Sequence, residues 1–139
     1  MVRLIALVAV TVAALAAAGC RATVDPMTLD LTPDQYFQRA IEASDKDNYR
    51  VAMTYYEAFQ AKFPGDVERG VWASYEVAVL HHKLGNDDKA LEALDKLLAR
   101  YATPAAGAPP LPSGPRVLAE KVKANILKSR KPAPAASPR

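Results

Sequence analysis

The side chain with the most distinctive chemistry in this sequence is the thiol of Cys20, the only cysteine among 139 residues. A single cysteine cannot form a disulfide within the chain, so in an exported protein it requires another explanation. Its position supplies one, because Cys20 follows an apolar leader and the small residues Ala17, Ala18 and Gly19. This placement indicates a processing and modification site.

The two histidines of the chain, His81 and His82, are adjacent and do not form a metal-binding pattern. Neighbouring residues of a helix point about 100° apart, so the two rings cannot chelate one ion from one face. No third histidine and no second cysteine is present to complete a zinc site. We therefore expect no metal and no cofactor, with His82 in a groove and His81 between helices.

The remaining polar residues do not form an enzyme motif. The sequence contains no Gly-x-Ser-x-Gly turn and no glycine-rich phosphate loop. Helix capping and solvation account for the aspartates at expected turns, which are Asp45, Asp47, Asp87 and Asp88. The net charge of +3 is too small to indicate nucleic-acid binding. We therefore expect a non-catalytic protein that does not bind nucleic acid.

The first nineteen residues have the pattern of a secretory leader. Residues 1–3 give a positive start, and residues 4–18 are uncharged and mostly apolar. This apolar run is shorter than the roughly 20 residues that a spanning helix needs, and its length is typical of a signal peptide. The sequence of residues 17–20 resembles the lipobox of bacterial lipoproteins. The resemblance implies a signal peptide at residues 1–19 and a lipid anchor on Cys20.

The residue after the cysteine, Arg21, indicates the destination of the protein. In Gram-negative lipoproteins an aspartate at this place tends to retain the protein at the inner membrane. The resemblance therefore implies a lipid anchor in the outer membrane, on the periplasmic side, or in the cell membrane of a host with a single membrane. Residues 20–31 contain Pro26 and no sustained period, so we expect a lipidated tether.

Helical periodicity extends over residues 32–101. Thr32, Pro33 and Gln35 together predict the start of a helix, with an N-cap, a first-turn proline and a capping box. Three further helices are expected at residues 49–63, 67–84 and 87–101, and Gly85 is placed as a C-terminal cap. No segment alternates apolar and polar residues, so the predicted fold class is all-α.

The four helices form two similar pairs. Ala52 and Ala90 each follow a polar turn and lie 38 residues apart, a period typical of helical repeats. The small residues of the helices, with Pro64 and Gly85, resemble the tetratricopeptide repeat. The sequence Phe63-Pro64 is similar to the lipoprotein repeats of the BamD type, from outer-membrane β-barrel assembly, and of the periplasmic YbgF type. The resemblance implies a short solenoid at residues 32–101.

The C-terminal part divides into a loop, a helix and a tail. Residues 102–115 contain five prolines and no charge, so we expect a Pro-rich loop. Residues 116–129 are periodic again and predict a capping helix that covers the last repeat. Residues 130–139 contain three prolines, and we expect a disordered tail.

The resemblance to the tetratricopeptide repeat also implies where a partner binds, because the first helix of each repeat lines the concave surface. The residues at these places are Phe37, Ile41, Trp72, Tyr75, Val79, His82 and Lys83. One interpretation is a groove that binds a segment of a protein partner. The other is that the aromatic side chains pack as core.

The expected function is therefore a non-catalytic, lipid-anchored protein-binding adaptor or scaffold of the bacterial cell envelope, with a role in outer-membrane protein assembly. One alternative is a structural lipoprotein that associates with itself into a homo-oligomer, since two repeats are close to the lower limit for a stable solenoid. Another alternative is an accessory subunit of a peptidoglycan-associated enzyme.

Replacing Cys20 with serine removes the thiol that would carry an acyl chain. Each buried methylene of such a chain contributes about 0.8 kcal/mol to membrane binding, so the parent protein should partition into detergent. We expect the Cys20→Ser variant to be soluble or to keep its leader. Phase partitioning and mass spectrometry measure both properties, and a variant that partitions like the parent would contradict the anchor.

Overall fold

The structure, a computed structural model, describes residues 24–103, 107 and 109–130. The regular elements of these residues are all helical, which confirms the predicted all-α class. They are a 3-10 turn at Pro26–Thr28 and the helices α1 (Pro33–Ser44), α2 (Tyr49–Lys62), α3 (Val67–Lys83), α4 (Asp87–Ala102) and α5 (Ser113–Ser129). The predicted signal peptide, Cys20 and residues 131–139 of the predicted tail lie outside the described residues.

Local capping interactions fix the start of α1 and of α3. The Thr32 hydroxyl accepts the Gln35 amide at 3.3 Å, and the Gln35 side chain accepts the Thr32 amide at 2.9 Å. The carboxylate of Asp66 accepts the amide of Arg69 at 3.1 Å in the first turn of α3. These bonds satisfy amides that have no partner inside the helix, so both helices begin where the sequence predicts.

The turns that lead into α2 and α4 have the same hydrogen bonds. The amide of Asn48 donates to the carbonyl five residues earlier at 2.9 Å, and the amide of Asn86 does so at 2.9 Å. The preceding residues, Asp47 and Gly85, have positive φ angles of 56° and 75°. This left-handed turn ends many helices, and it suits glycine better than aspartate. The two turns lie 38 residues apart, as the two alanines do.

Two hydrophobic clusters form the core. The first lies among α1, α2 and α3, and its largest buried side chains are Tyr36, Tyr56, Phe59 and Leu80. The second lies among α3, α4 and α5, and it includes Val71, Leu94, Leu97 and Ile126. The alanines at the closest helix contacts, Ala40, Ala52, Ala78 and Ala90, have no exposed surface. Helix α3 contributes to both clusters and therefore connects the two halves of the domain.

The helices pack in the order of the chain. Each of α1 to α4 packs on the next helix, and α5 packs on both α4 and α3. Among the described helices α1 packs on α2 alone, and its backbone does not approach α3 closely. Side chains of α1 and α3 meet in the first cluster, and an open cavity lies between α1 and Arg69 of α3.

The segment before α1 is more structured than the predicted tether. Pro26 is buried, and the Tyr36 hydroxyl lies 3.0 Å from the Pro26 carbonyl oxygen and 2.9 Å from that of Leu29. The ammonium group of Lys62 also donates to the Leu29 carbonyl. A buried phenol needs a hydrogen-bond partner, and this segment supplies one for Tyr36. Residues 26–31 thus belong to the fold and not to a free linker.

The last helix begins at Ser113, three residues before the predicted start at Arg116, and α4 extends to Ala102. The prediction counted Pro115 among the five prolines of the loop. In the first turn, however, its missing amide has no partner to lose, and Pro115 is buried in α5. The hydroxyl of Tyr101 donates to the Pro112 carbonyl at 2.8 Å, which ties the end of the Pro-rich loop to α4.

Enlarging Ala52 tests the packing of the first helix pair. We expect Ala52→Leu to destabilise the protein by roughly 1–3 kcal/mol, because added methyl groups strain a dense core. Ala61→Leu is the matched control, since Ala61 is exposed on the same helix. Thermal unfolding followed by circular dichroism measures both variants. Equal melting temperatures for Ala52→Leu and the parent would contradict this packing.

Candidate functional site

The open space between α1 and α3 is the candidate site, and we name it the α1/α3 groove. At one end, the guanidinium of Arg69 on α3 lies 2.9 Å from the Asp34 carboxylate on α1. At the other end, Lys83 Nζ lies 4.8 Å from the ring centroid of Tyr49, which begins α2. Helices α1 and α3 therefore run in the same direction, with Arg69 bridging them at one end and Lys83 reaching the start of α2 at the other.

One stripe of side chains on α3 faces this groove. Arg69, Trp72, Glu76, Val79 and Lys83 follow one another at intervals of three and four residues, so they share one face of the helix. Both ends of the stripe contact α1 or the start of α2. By helical spacing, the three residues between them lie on the same face of α3.

Several apolar side chains of the groove are not used by the core. Ile41 on α1 is 50% exposed and borders a shallow cavity of about 450 Å³ together with Phe37 and Arg69. Trp72 and Val79 are half-buried and belong to neither hydrophobic cluster. Ile41, Trp72 and Val79 therefore leave apolar surface available for a ligand.

The other aromatic residues of the predicted groove pack mainly as core. The ring of Phe37 lies edge-on to Tyr56 and Phe59, with centroids 5.2 and 5.0 Å apart, and it packs against the first cluster. Tyr75 packs against the second cluster, and its ring lies edge-on to Trp72 at 6.3 Å. Phe37 and Tyr75 therefore pack as core, whereas Trp72 belongs to neither cluster.

The indole of Trp72 lies where α5 meets the groove. A Cβ atom added to Gly114, near the start of α5, would be 3.0 Å from Trp72 Cζ2. Such a distance is shorter than an ordinary carbon contact. Glycine at position 114 therefore allows the backbone of α5 to cover part of the indole, which is otherwise half-buried.

His82 and Lys83 are engaged in local contacts at the end of the groove. Nδ1 of His82 lies 2.6 Å from a carboxylate oxygen of Asp87, and Lys83 lies over the Tyr49 ring. The neighbouring His81 has a buried Nδ1 atom without a hydrogen-bond partner among the described residues. His82 and Lys83 therefore form the boundary of the groove.

Sequence reasoning missed Glu76, which lies at the centre of the α3 stripe. Glu76 is half-buried and has no ion pair or hydrogen bond within the described part of the chain. Burial raises the pKa of its carboxyl group, and the Lys83 charge partly opposes this. Burial first, and then the charges of Glu76 and Asp45, raise the pKa of the Tyr56 hydroxyl. The spacing of Glu76 from Trp72 and Val79 was the signal that could have identified it.

Comparison of the chain with protein-family models, curated proteins and solved structures gives no match. Within the described residues, no group of three or more His, Cys, Asp and Glu side chains is arranged to hold a metal ion. Among the helices that the structure describes, none is both long and apolar enough to cross a membrane. The side chains of the α1/α3 groove are therefore the basis for assigning a function.

The raised pKa of Glu76 gives a prediction for stability. The folded state holds the Glu76 proton more tightly than the unfolded state does, so ionised Glu76 opposes folding at neutral pH. We expect Glu76→Gln to raise the melting temperature at pH 7. As the pH falls toward 4, the Glu76 carboxyl of the parent becomes protonated in both the folded and the unfolded state. The difference in melting temperature between the parent and Glu76→Gln should therefore diminish. Glu57→Gln, at an exposed position of α2, is the control, and an equal effect of both variants would contradict this interpretation.

Proposed function

We propose that this protein is a non-catalytic, lipid-anchored adaptor of the bacterial cell envelope that holds a protein partner in the α1/α3 groove. The proposed anchor is the Cys20 thiol, and the proposed location is the periplasmic side of the outer membrane. A role in the assembly of outer-membrane proteins is the context that the resemblance to BamD-type and YbgF-type lipoproteins favours.

A short repeat architecture supports this proposal. The turns before α2 and α4 share their hydrogen bonds and their positive φ angles at a spacing of 38 residues. The buried alanines Ala40 and Ala78, and likewise Ala52 and Ala90, lie at the same spacing. We interpret α1–α2 and α3–α4 as two tetratricopeptide-like pairs, and α5 as the helix that caps the second pair. In this arrangement α1 and α3 line the concave surface.

The observation that carries the proposal is the exposed apolar surface of Ile41 on α1, together with partly exposed Trp72 and Val79 on the α3 stripe. Ile41 is half-exposed and borders an open cavity of about 450 Å³ that Phe37 also lines, and apolar surface exposed at a cavity suits a binding surface. Grooves of this kind accept a helix or an extended segment, with apolar side chains of the ligand as anchors.

Self-association is the second candidate, and the outer face of α5 favours it. Val117 and Leu127 are 60% and 50% exposed on this helix, whereas Ala119 and Ile126 of the same helix are buried. An apolar face at the end of a repeat array is also where a further copy would pack. The groove and the α5 face are separate surfaces, so substitutions can distinguish the two functions.

The experiment compares partners recovered by crosslinking in intact envelopes. We expect Ile41→Ala to reduce the recovery of partners, and Trp72→Ala to weaken binding by about 2 kcal/mol or more, as truncated aromatic anchors often do. Leu127→Ala is the matched control, because Leu127 and Ile41 are equally exposed at 50%. Circular dichroism of each purified variant shows whether it remains folded.

The outcome of this experiment shows which of the two surfaces binds the partners. Loss of partners with Ile41→Ala, in a protein that keeps its helical signal, supports the groove. Loss with Leu127→Ala alone, together with a smaller species on size-exclusion chromatography, would assign function to self-association through α5. Folded groove variants that recover every partner at the parent level would refute the adaptor.

A further inference from the structure

The electrostatics of the α1/α3 groove indicate the chemistry of the partner segment. Glu76 lies at the centre of the α3 stripe, half-buried and without an ion pair or hydrogen bond among the described residues. The negative charges of Glu76 and Asp45 both help to raise the pKa of the Tyr56 hydroxyl, after its burial. Glu76 likewise helps to raise the pKa of the Tyr75 hydroxyl. The Glu76 carboxylate therefore lies within electrostatic range of both hydroxyls.

The cations of the groove already have other partners. Arg69 contacts the carboxylates of Asp34 and Asp66, at 2.9 and 2.7 Å. The ammonium group of Lys83 lies over the Tyr49 ring. Glu42 adds a further negative charge at the cavity beside Ile41. The negative charge of Glu76 is therefore not neutralised by a direct contact within the described residues.

A positively charged side chain fits this arrangement. Half-buried carboxylates make their strongest hydrogen bonds to guanidinium and ammonium groups. Aromatic faces nearby add attraction for the same cations, and Trp72 lies one helical turn from Glu76. The surface of Ile41 and Val79 would contact the apolar neighbours of such a cation.

We propose that the α1/α3 groove binds a segment of a partner protein that carries an arginine or lysine between apolar side chains, with the cation seated on Glu76. This inference rests on the proposed function, because it names the chemistry of the segment that the groove receives. The apolar side chains supply contact area, and the carboxylate selects for positive charge.

The test uses the full-length protein in detergent as the target for a random heptapeptide display library. We expect the selected peptides to be enriched in arginine and lysine with apolar neighbours. Binding of the best peptide is then followed by the fluorescence of Trp72, the only tryptophan of the chain. We expect Glu76→Gln to weaken this binding about tenfold, whereas Glu57→Gln should leave it unchanged.

A second change on the peptide isolates the charge interaction. Citrulline in place of the peptide arginine keeps its shape and removes its charge, so it should weaken binding to the parent about tenfold. On Glu76→Gln the same replacement should have little further effect, because the two groups act on each other. Equal losses on the parent and on Glu76→Gln would overturn the assigned contact.

The outcomes separate this inference from the proposed function. Selected peptides that are neutral or acidic, and that bind in an Ile41-dependent way, would overturn the inference while the groove remains a binding site. A library with no peptide enriched on the parent over Ile41→Ala would count against the groove itself. A tighter binding of peptide after removal of residues 131–139 would instead assign the groove to the basic tail of this chain.

Discussion

The close approach of neighbouring helices at small buried residues is the constraint on which the rest of this fold depends. Ala40, Ala52, Ala78 and Ala90 have no exposed surface, and at such positions only a methyl group separates two helix backbones. The same approach recurs after 38 residues in the second pair. This packing fixes the rotation of α3 about its own axis. The rotation in turn determines which α3 side chains remain outside the core. The α1/α3 groove is thus a consequence of how the helices pack.

The parts of the fold that the sequence predicted are those that local interactions determine. The capping box of Thr32 and Gln35 and the turn at Gly85 involve residues close together in the chain, so their residue types are sufficient to identify them. The docking of Pro26 under Tyr36 and the partial burial of Glu76 depend on contacts between elements. No local pattern specifies such contacts, and the start of α5 was misplaced because a proline was interpreted without its position in the helix.

The candidate site was predicted in part for the same reason. Helical spacing places Ile41, Trp72 and Val79 on the faces that border the groove, but it does not show that Phe37 and Tyr75 turn into the core. Spacing also does not reveal that the Glu76 carboxylate has no ion pair or hydrogen bond with any residue that the structure describes. Burying a charge without a partner opposes folding. Residues that lower stability in this way are common at functional sites. The binding role proposed for Glu76 is consistent with this pattern.

The hydrogen bonds of Tyr36 to the segment at Pro26 have a consequence for distance. They hold that segment against the helices, so only residues 21–25 separate the proposed lipid on Cys20 from the folded domain. Five extended residues span at most about 18 Å. With the proposed lipid in place, so short a tether would keep the domain close to the lipid headgroups and would raise its effective concentration toward ligands bound to the same membrane.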